Sequence, residues 1–306
     1  MKQTAALCIS LLLFPYLFTL AWTGRAGEMI QMESSAAEKR MVILDRGGEG
    51  YPVSAEDYII GMAAMQIPAD YEKETVKAQM IIARTYLYSL MGEENSIPES
   101  AIDADIMTEG EMRKAWGKEN FLDYYQKFAD AARETKGTII AFDGAPIEPL
   151  FHKISAGKTR TGDSLHPYLV SVDCGNDVEA EGYLTAVSFT PEEFCRRLNE
   201  MDDSLQLVPD EAFQSLQIVE RDKAGYVIQA KAGEKLYSGE KIQYALGLKS
   251  AAFSFEKMEG SIRCLVKGEG HGYGFDQWGA NEKAKEGYMA EDLLNYYYKN
   301  IDLIFE

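Results

Sequence analysis

The stretch "TIIAFDGAPIEPLFH", residues 138–152, is where the apolar period of the chain changes from helical to strand-like. Its apolar residues flank Asp143-Gly144, a dipeptide that tolerates the positive φ angles of a two-residue hairpin turn. Upstream the pattern is helical. Ser54 is placed to cap a helix carrying Tyr58, Ile59, Met62 and Met65 as an apolar stripe, and Pro68 predicts its end near Gln66. A second helix is predicted from near Glu72, with Val76, Met80, Ala83 and Leu87 on one face and Lys77, Ile81, Arg84 and Tyr88 on another. A third runs from about Glu119 to Thr135, shows Leu122, Tyr125, Ala129 and Ala132 at helical spacing, and ends at Gly137. Downstream, "LQIVERDKAGYVIQA" (216–230) and "AAFSFEKMEGSIRCLV" (251–266) each read as two strands broken at a glycine-containing turn. Helices begin at Thr190-Pro191, at Ser238 and at about Ala290. Hairpins and helices interleave without regular βαβ alternation, which predicts an α+β body, with helices and β-hairpins around a cleft.

The chain of 306 residues is 46% hydrophobic and 11% aromatic, enough for a full core. Acidic residues outnumber basic ones by 49 to 31, the net charge is −18, and no Lys/Arg run offers a phosphate-neutralising surface. Nucleic acid is therefore excluded as a partner class. After Lys2, the segment from Ala5 to Trp22 carries no charge before Arg25. It is the length of a bilayer span with only a weak cleavage site behind it, so residues 1–26 are expected to be a retained membrane-anchor helix, or a secretion signal if they are cleaved. Residues 27–41 are then a polar tether, and residues 42–306 the extracytoplasmic body. Cys174, Cys195 and Cys264 form no paired spacing, and His152, His166 and His271 make no short metal signature.

Three clusters place polar residues or glycine where core packing has no use for them. The first is Gln66 with Gln79 and Arg84. The second is "FHKISAGKTRTG" (151–162), with Ser155, Gly157 and Thr159. The third is "GEGHGYGFDQWGAN" (268–281), whose glycines surround His271, Gln277 and Trp278. Glycine at this density lets backbone approach a ligand closely. An irregular loop would account for the same glycines.

The segment "AEDYIIGMAAMQIPADYEKETVKAQMIIARTY" (55–86) resembles the opening of the stage II sporulation protein D family, related to the amidase enhancer LytB. "FHKISAGKT" with "PYLVSVD", "SGEKIQYALGLKSAAF", and "GEGHGYGFDQWGA" with "AEDLLNYYYKN" resemble the family's later motifs in the same order, over residues 42 to 304. The resemblance implies action on peptidoglycan glycan strands during engulfment in sporulation, alongside partners such as a peptidoglycan amidase. Catalytic members are lytic transglycosylases in which one glutamate protonates the glycosidic oxygen and then, as carboxylate, accepts the proton of the muramic acid 6-hydroxyl.

That glutamate belongs to a family pattern A-E-M-P, which here reads Met65-Gln66-Ile67-Pro68. An amide has no proton to give a leaving group near neutral pH. Activity is therefore expected to be reduced or lost, with Arg84, Gln79, Ser155, Gly157, Thr159, His271, Gln277 and Trp278 as candidate glycan contacts. Glu269 and Asp276 stand where the family differs, and are candidate replacement acids in an alternative, active reading. A second alternative is an interaction module that no longer binds glycan. Family members that hold zinc use His and Cys near the second motif. Here only His152 fits, since Ala156 and Lys158 supply no thiolate, so no metal or other cofactor is expected.

Overall fold

The structure is a computed structural model that describes residues 40–306. The Ala5–Trp22 segment, and with it the anchor expectation, lies outside those residues. Among the described residues no helix is long and apolar enough to cross a membrane.

Helix α1, Ala55–Gln66, starts where expected, with the Ser54 hydroxyl accepting the Glu56 N–H at 3.2 Å. It ends where Ile67, before Pro68, turns to extended backbone at φ −130°, ψ 143°. The helix is buried from Ala55 to Ala64 almost without interruption, as a helix does when core surrounds it. Gly61 is required for that: a Cβ there would stand 2.9 Å from the Met107 carbonyl oxygen, and the Gly61 carbonyl accepts the Met107 N–H. Met65 departs from the expected stripe. It is 49% exposed, because the last turn of α1 emerges from the core.

Helix α2, Lys73–Met91, joins two cores. Val76, Met80, Ala83 and Leu87 pack with α1, while Ala78, Ile81 and Ile82 pack with the C-terminal helices. Helix α3, Glu109–Glu134, is two helical stretches joined at a break at Gly117, φ 75°: the first opens on a Thr108/Glu111 capping box, and the second starts just after Gly117, where the expected helix begins near Glu119. Its buried face is Phe121, Phe128, Ala131 and Ala132. Leu122, one position round from Phe121, is 70% exposed, which corrects the expected stripe.

The hairpin at Asp143-Gly144 forms with both residues at positive φ, 50° and 79°. Its strand Thr138–Phe142 pairs with Ala145–Pro146 on one side and, antiparallel, with the C-terminal strand Asp302–Phe305 on the other. The remaining expected hairpins form two three-stranded antiparallel sheets, 216–238 and 253–267 with Leu184–Phe189. Helices α4 (Pro191–Met201) and α5 (Gly239–Leu246), capped by Thr190 and Ser238, pack on them around Phe194, Leu198, Tyr226, Ile242 and Phe253. Helices α6 (Gln277–Lys285) and α7 (Ala290–Tyr297) complete a third cluster with α2. Mixed α+β architecture follows, with seven α-helices and five small sheets among the described residues.

One two-stranded parallel pairing positions the site. Phe151–His152 pairs with Phe275–Asp276, which brings the second and third polar clusters side by side although more than a hundred residues separate them.

Candidate functional site

A cleft of about 470 Å³ opens where α1 ends. Met65 and Gln66 form one lip, Ile82 and Tyr86 of α2 the floor, Asp103 to Asp105 a second wall, and Glu148 to Phe151 with His271 the far side.

Gln66 is held in place by two other glutamines. Its Oε1 accepts from Gln79 Nε2 at 2.7 Å, and its backbone carbonyl accepts from Gln277 Nε2 at 2.9 Å. Gln277 Nε2 also donates to Gln79 Oε1 at 3.1 Å. Gln79 and Gln277 are buried, so they act behind Gln66 and not at the cleft surface. With its oxygen turned to Gln79, the Gln66 side chain offers only amide N–H to whatever occupies the cleft.

His271 sits at the far side, between the rings of His152 and Tyr273, each with its centroid at 5.9 Å. Its Nδ1 accepts the Tyr273 N–H at 3.0 Å, so in the neutral ring the proton is on Nε2. Burial, then the positive charge of Arg160, lowers its pKa and keeps it neutral near pH 7. His152 lies behind it, with Nδ1 against the Tyr273 carbonyl at 3.0 Å, and burial pushes its pKa down to about 3. Among the described residues His152 joins no cluster of potential metal ligands.

Several candidate contacts lie elsewhere than expected. Arg84 has no exposed surface: its Nε and Nη2 donate to Glu56 at 2.8 and 2.6 Å, and Nη1 donates to the Thr138 carbonyl at 3.2 Å. It ties α2 to α1 and to the hairpin and cannot reach a cleft ligand. Ser155 and Thr159 are fully buried: the Ser155 hydroxyl donates to Asp177 at 2.5 Å, and the Thr159 hydroxyl bridges the Val170 carbonyl and the Val172 N–H. Gly157 holds φ 104° and donates its N–H to Ser155. These residues shape the loop beneath the site. Trp278 is half-buried, its backbone N–H donates to the Lys153 carbonyl, and it does not line the cleft.

Neither replacement acid lines the cleft. Glu269 is clamped by Lys153 at 2.6 Å and Lys249 at 2.7 Å; burial alone would raise its pKa, but the two ammonium groups hold it below the usual range, so it is ionised and proton-poor. Asp276 caps α6 through the Gly279 N–H and is completely buried, with its pKa raised well above the usual range by burial and then by Asp177. It can hold a proton but has no surface through which to deliver one.

The cleft carboxylates that sequence reading missed are Asp103, Asp105 and Glu148. Glu148 accepts from His166 Nε2 at 2.9 Å, while Asp163 takes His166 Nδ1 at 2.8 Å. No motif flags these residues. Only the run of alternating acids at 103–105 hinted at a polar wall.

Residues 50–142, which contain α1, α2 and the Gln66 corner, match the stage II sporulation protein (SpoIID) family. The chain is similar over nearly its full length to the stage II sporulation protein D of Bacillus amyloliquefaciens, 29% identical over 98% of this chain and 94% of that protein. It is equally similar to the stage II sporulation protein D of Bacillus subtilis (strain 168), 29% identical over 99% of this chain and 96% of that one.

Proposed function

We propose that the chain is a membrane-anchored, extracytoplasmic sporulation protein that binds peptidoglycan glycan strands in the cleft beside Gln66, with lytic transglycosylase activity reduced or lost. The observation that carries this reading is the glutamine at the end of α1: a side chain of glutamate's size, oriented by Gln79, in a cleft of saccharide dimensions, without a transferable proton. Tyr86 and Phe151 supply apolar ring surface of the kind sugars stack against, and the amide can still hydrogen-bond a glycan hydroxyl. The relatives' name supports the link to sporulation. A partner enzyme such as a peptidoglycan amidase would then cut strands that this protein positions.

A second reading has one observation in its favour. Three carboxylates, Asp103, Asp105 and Glu148, stand on the cleft walls, and one of them can serve as a displaced acid.

The deciding experiment incubates the full chain, in detergent, with denuded glycan strands and measures anhydro-muropeptides by mass spectrometry. Retention on insoluble sacculi without product supports the first reading. Product from the wild type that Glu148→Gln or Asp105→Asn abolishes supports the second, and loss of both retention and product sinks the glycan assignment.

A further inference from the structure

Behind the cleft, one step from Gln277, three segments converge. Cys174, Asp177 and Asp276 each place one ligand atom within 4.8 Å of the others, and all three side chains are buried. Cys174 and Asp177 come from the start of the 3₁₀ turn Gly175–Glu179, and Asp276 from the strand end that caps α6. Asp276 uses Oδ1 for the Gly279 N–H, and Asp177 uses Oδ2 for Ser155. The second oxygen of each, Asp276 Oδ2 and Asp177 Oδ1, receives no N–H or O–H from any other residue; the two carboxyls face each other, close enough to share a proton when no cation is bound.

A fourth group points to the same spot independently. Tyr297, on α7, is fully buried and its hydroxyl has no partner. The position that a Cβ would take at Gly279 lies 2.8 Å from Tyr297 Oη, 2.9 Å from Asp276 Oδ2 and 3.1 Å from Asp177 Oδ1. Three oxygens, two of them on the facing carboxyls, therefore surround one point left open by a glycine. Among the described residues no lysine or arginine hydrogen-bonds either carboxyl. Buried anionic oxygens persist only when paired with a cation, protonated or bound to a metal.

We propose that Cys174, Asp177 and Asp276 bind a divalent cation of the zinc class, with the Tyr297 hydroxyl or a water completing a four-coordinate site. A thiolate with two carboxylates suits zinc better than the all-oxygen cations calcium and magnesium. Zinc takes the thiolate form of a cysteine, so loading the site releases the Cys174 proton. The role is structural. The ion pins the 3₁₀ turn, the N-terminus of α6 and α7 together, and thereby fixes Gln277, which holds Gln66. Cys174 and Asp177 share one turn but Asp276 and Tyr297 lie far along the chain, which is why no short spacing announced the set.

Full-length chain in detergent is stripped with a chelator, dialysed against micromolar zinc and assayed for bound metal, then loaded with cobalt for absorption spectroscopy. About one zinc per chain and a thiolate-to-cobalt charge-transfer band are expected. Asp276→Asn keeps the α6 cap, because asparagine caps as well as aspartate, yet it should weaken zinc at least about tenfold. Cys174→Ser should remove the charge-transfer band, and Cys195→Ser should leave it intact. Circular dichroism of each variant confirms folding. Negligible zinc on the wild type overturns the proposal, as does unchanged affinity in a folded Asp276→Asn. So does Asp276→Asn raising thermal stability of the stripped protein with no effect on metal, which would mean the two carboxyls simply share a proton.

Discussion

Replacing Arg84 with methionine keeps most of the side-chain volume and removes the guanidinium from a site with no solvent. The side chains of Arg84 and Glu56 are 0% and 6% exposed, and the two are joined by a bidentate pair at 2.8 and 2.6 Å. Glu56 keeps one further donor, the Tyr88 hydroxyl at 3.2 Å, which cannot neutralise a carboxylate. The Thr138 carbonyl also loses the Arg84 Nη1 donor that now reaches it at 3.2 Å. Removing one partner of such a pair costs about 3–5 kcal/mol, a large share of the roughly 5–15 kcal/mol that holds a domain folded. At about 2–4 °C per kcal/mol the melting temperature should fall by roughly 10 °C. Thermal unfolding by circular dichroism is the assay, with Glu56→Leu/Arg84→Met as the companion variant. The double variant should recover most of the loss, since an apolar pair of similar volume leaves no orphaned charge. A single-variant loss below about 1 kcal/mol, or a double variant worse than the single, would refute the assignment of Arg84 to the frame of the fold.

Gln66→Glu should raise anhydro-muropeptide release by about 10²- to 10⁴-fold over wild type, because the carboxyl can keep the Gln79 hydrogen bond through one oxygen and present the other to the cleft; no gain in a variant that still binds sacculi would contradict this. Gly61→Ala should destabilise by about 1–3 kcal/mol in urea titration, because the new methyl meets the Met107 carbonyl oxygen at 2.9 Å and backbone must move. The His166 pKa is raised above 6.5, first by its hydrogen bond to Asp163 and also by Glu148. A raised folded-state pKa means a stabilisation fully present below about pH 6.5 and lost as pH rises through the folded value. Wild type should therefore melt higher than His166→Gln at pH 6 and converge with it in mildly alkaline buffer; a gap that widens with pH would reverse the sign.

What the sequence determined by itself was everything governed by near neighbours. Ser54, Thr190 and Ser238 cap helices through contacts two or three residues away, and Pro68 acts on the residue before it. Asp143-Gly144 turns the hairpin through its own φ angles. The family resemblance was likewise legible, because ordered motifs are a property of the chain. Exposure was not. Met65 and Leu122 carry the right spacing for a core, but whether a neighbour covers them depends on where α1 and α3 finally dock. The candidate contacts Arg84, Ser155 and Thr159 looked like ligand residues because they are polar. They turned out to be polar because buried backbone and the buried carboxyls of Glu56 and Asp177 need partners. The cleft walls are drawn from residues 65–66, 82–86, 103–105, 148–151 and 271, brought together by the pairing of Phe151–His152 with Phe275–Asp276 and by the packing of α2 between two cores. Only tertiary structure decides which acids share a cavity, since side-chain distance across a cleft has no counterpart in sequence separation.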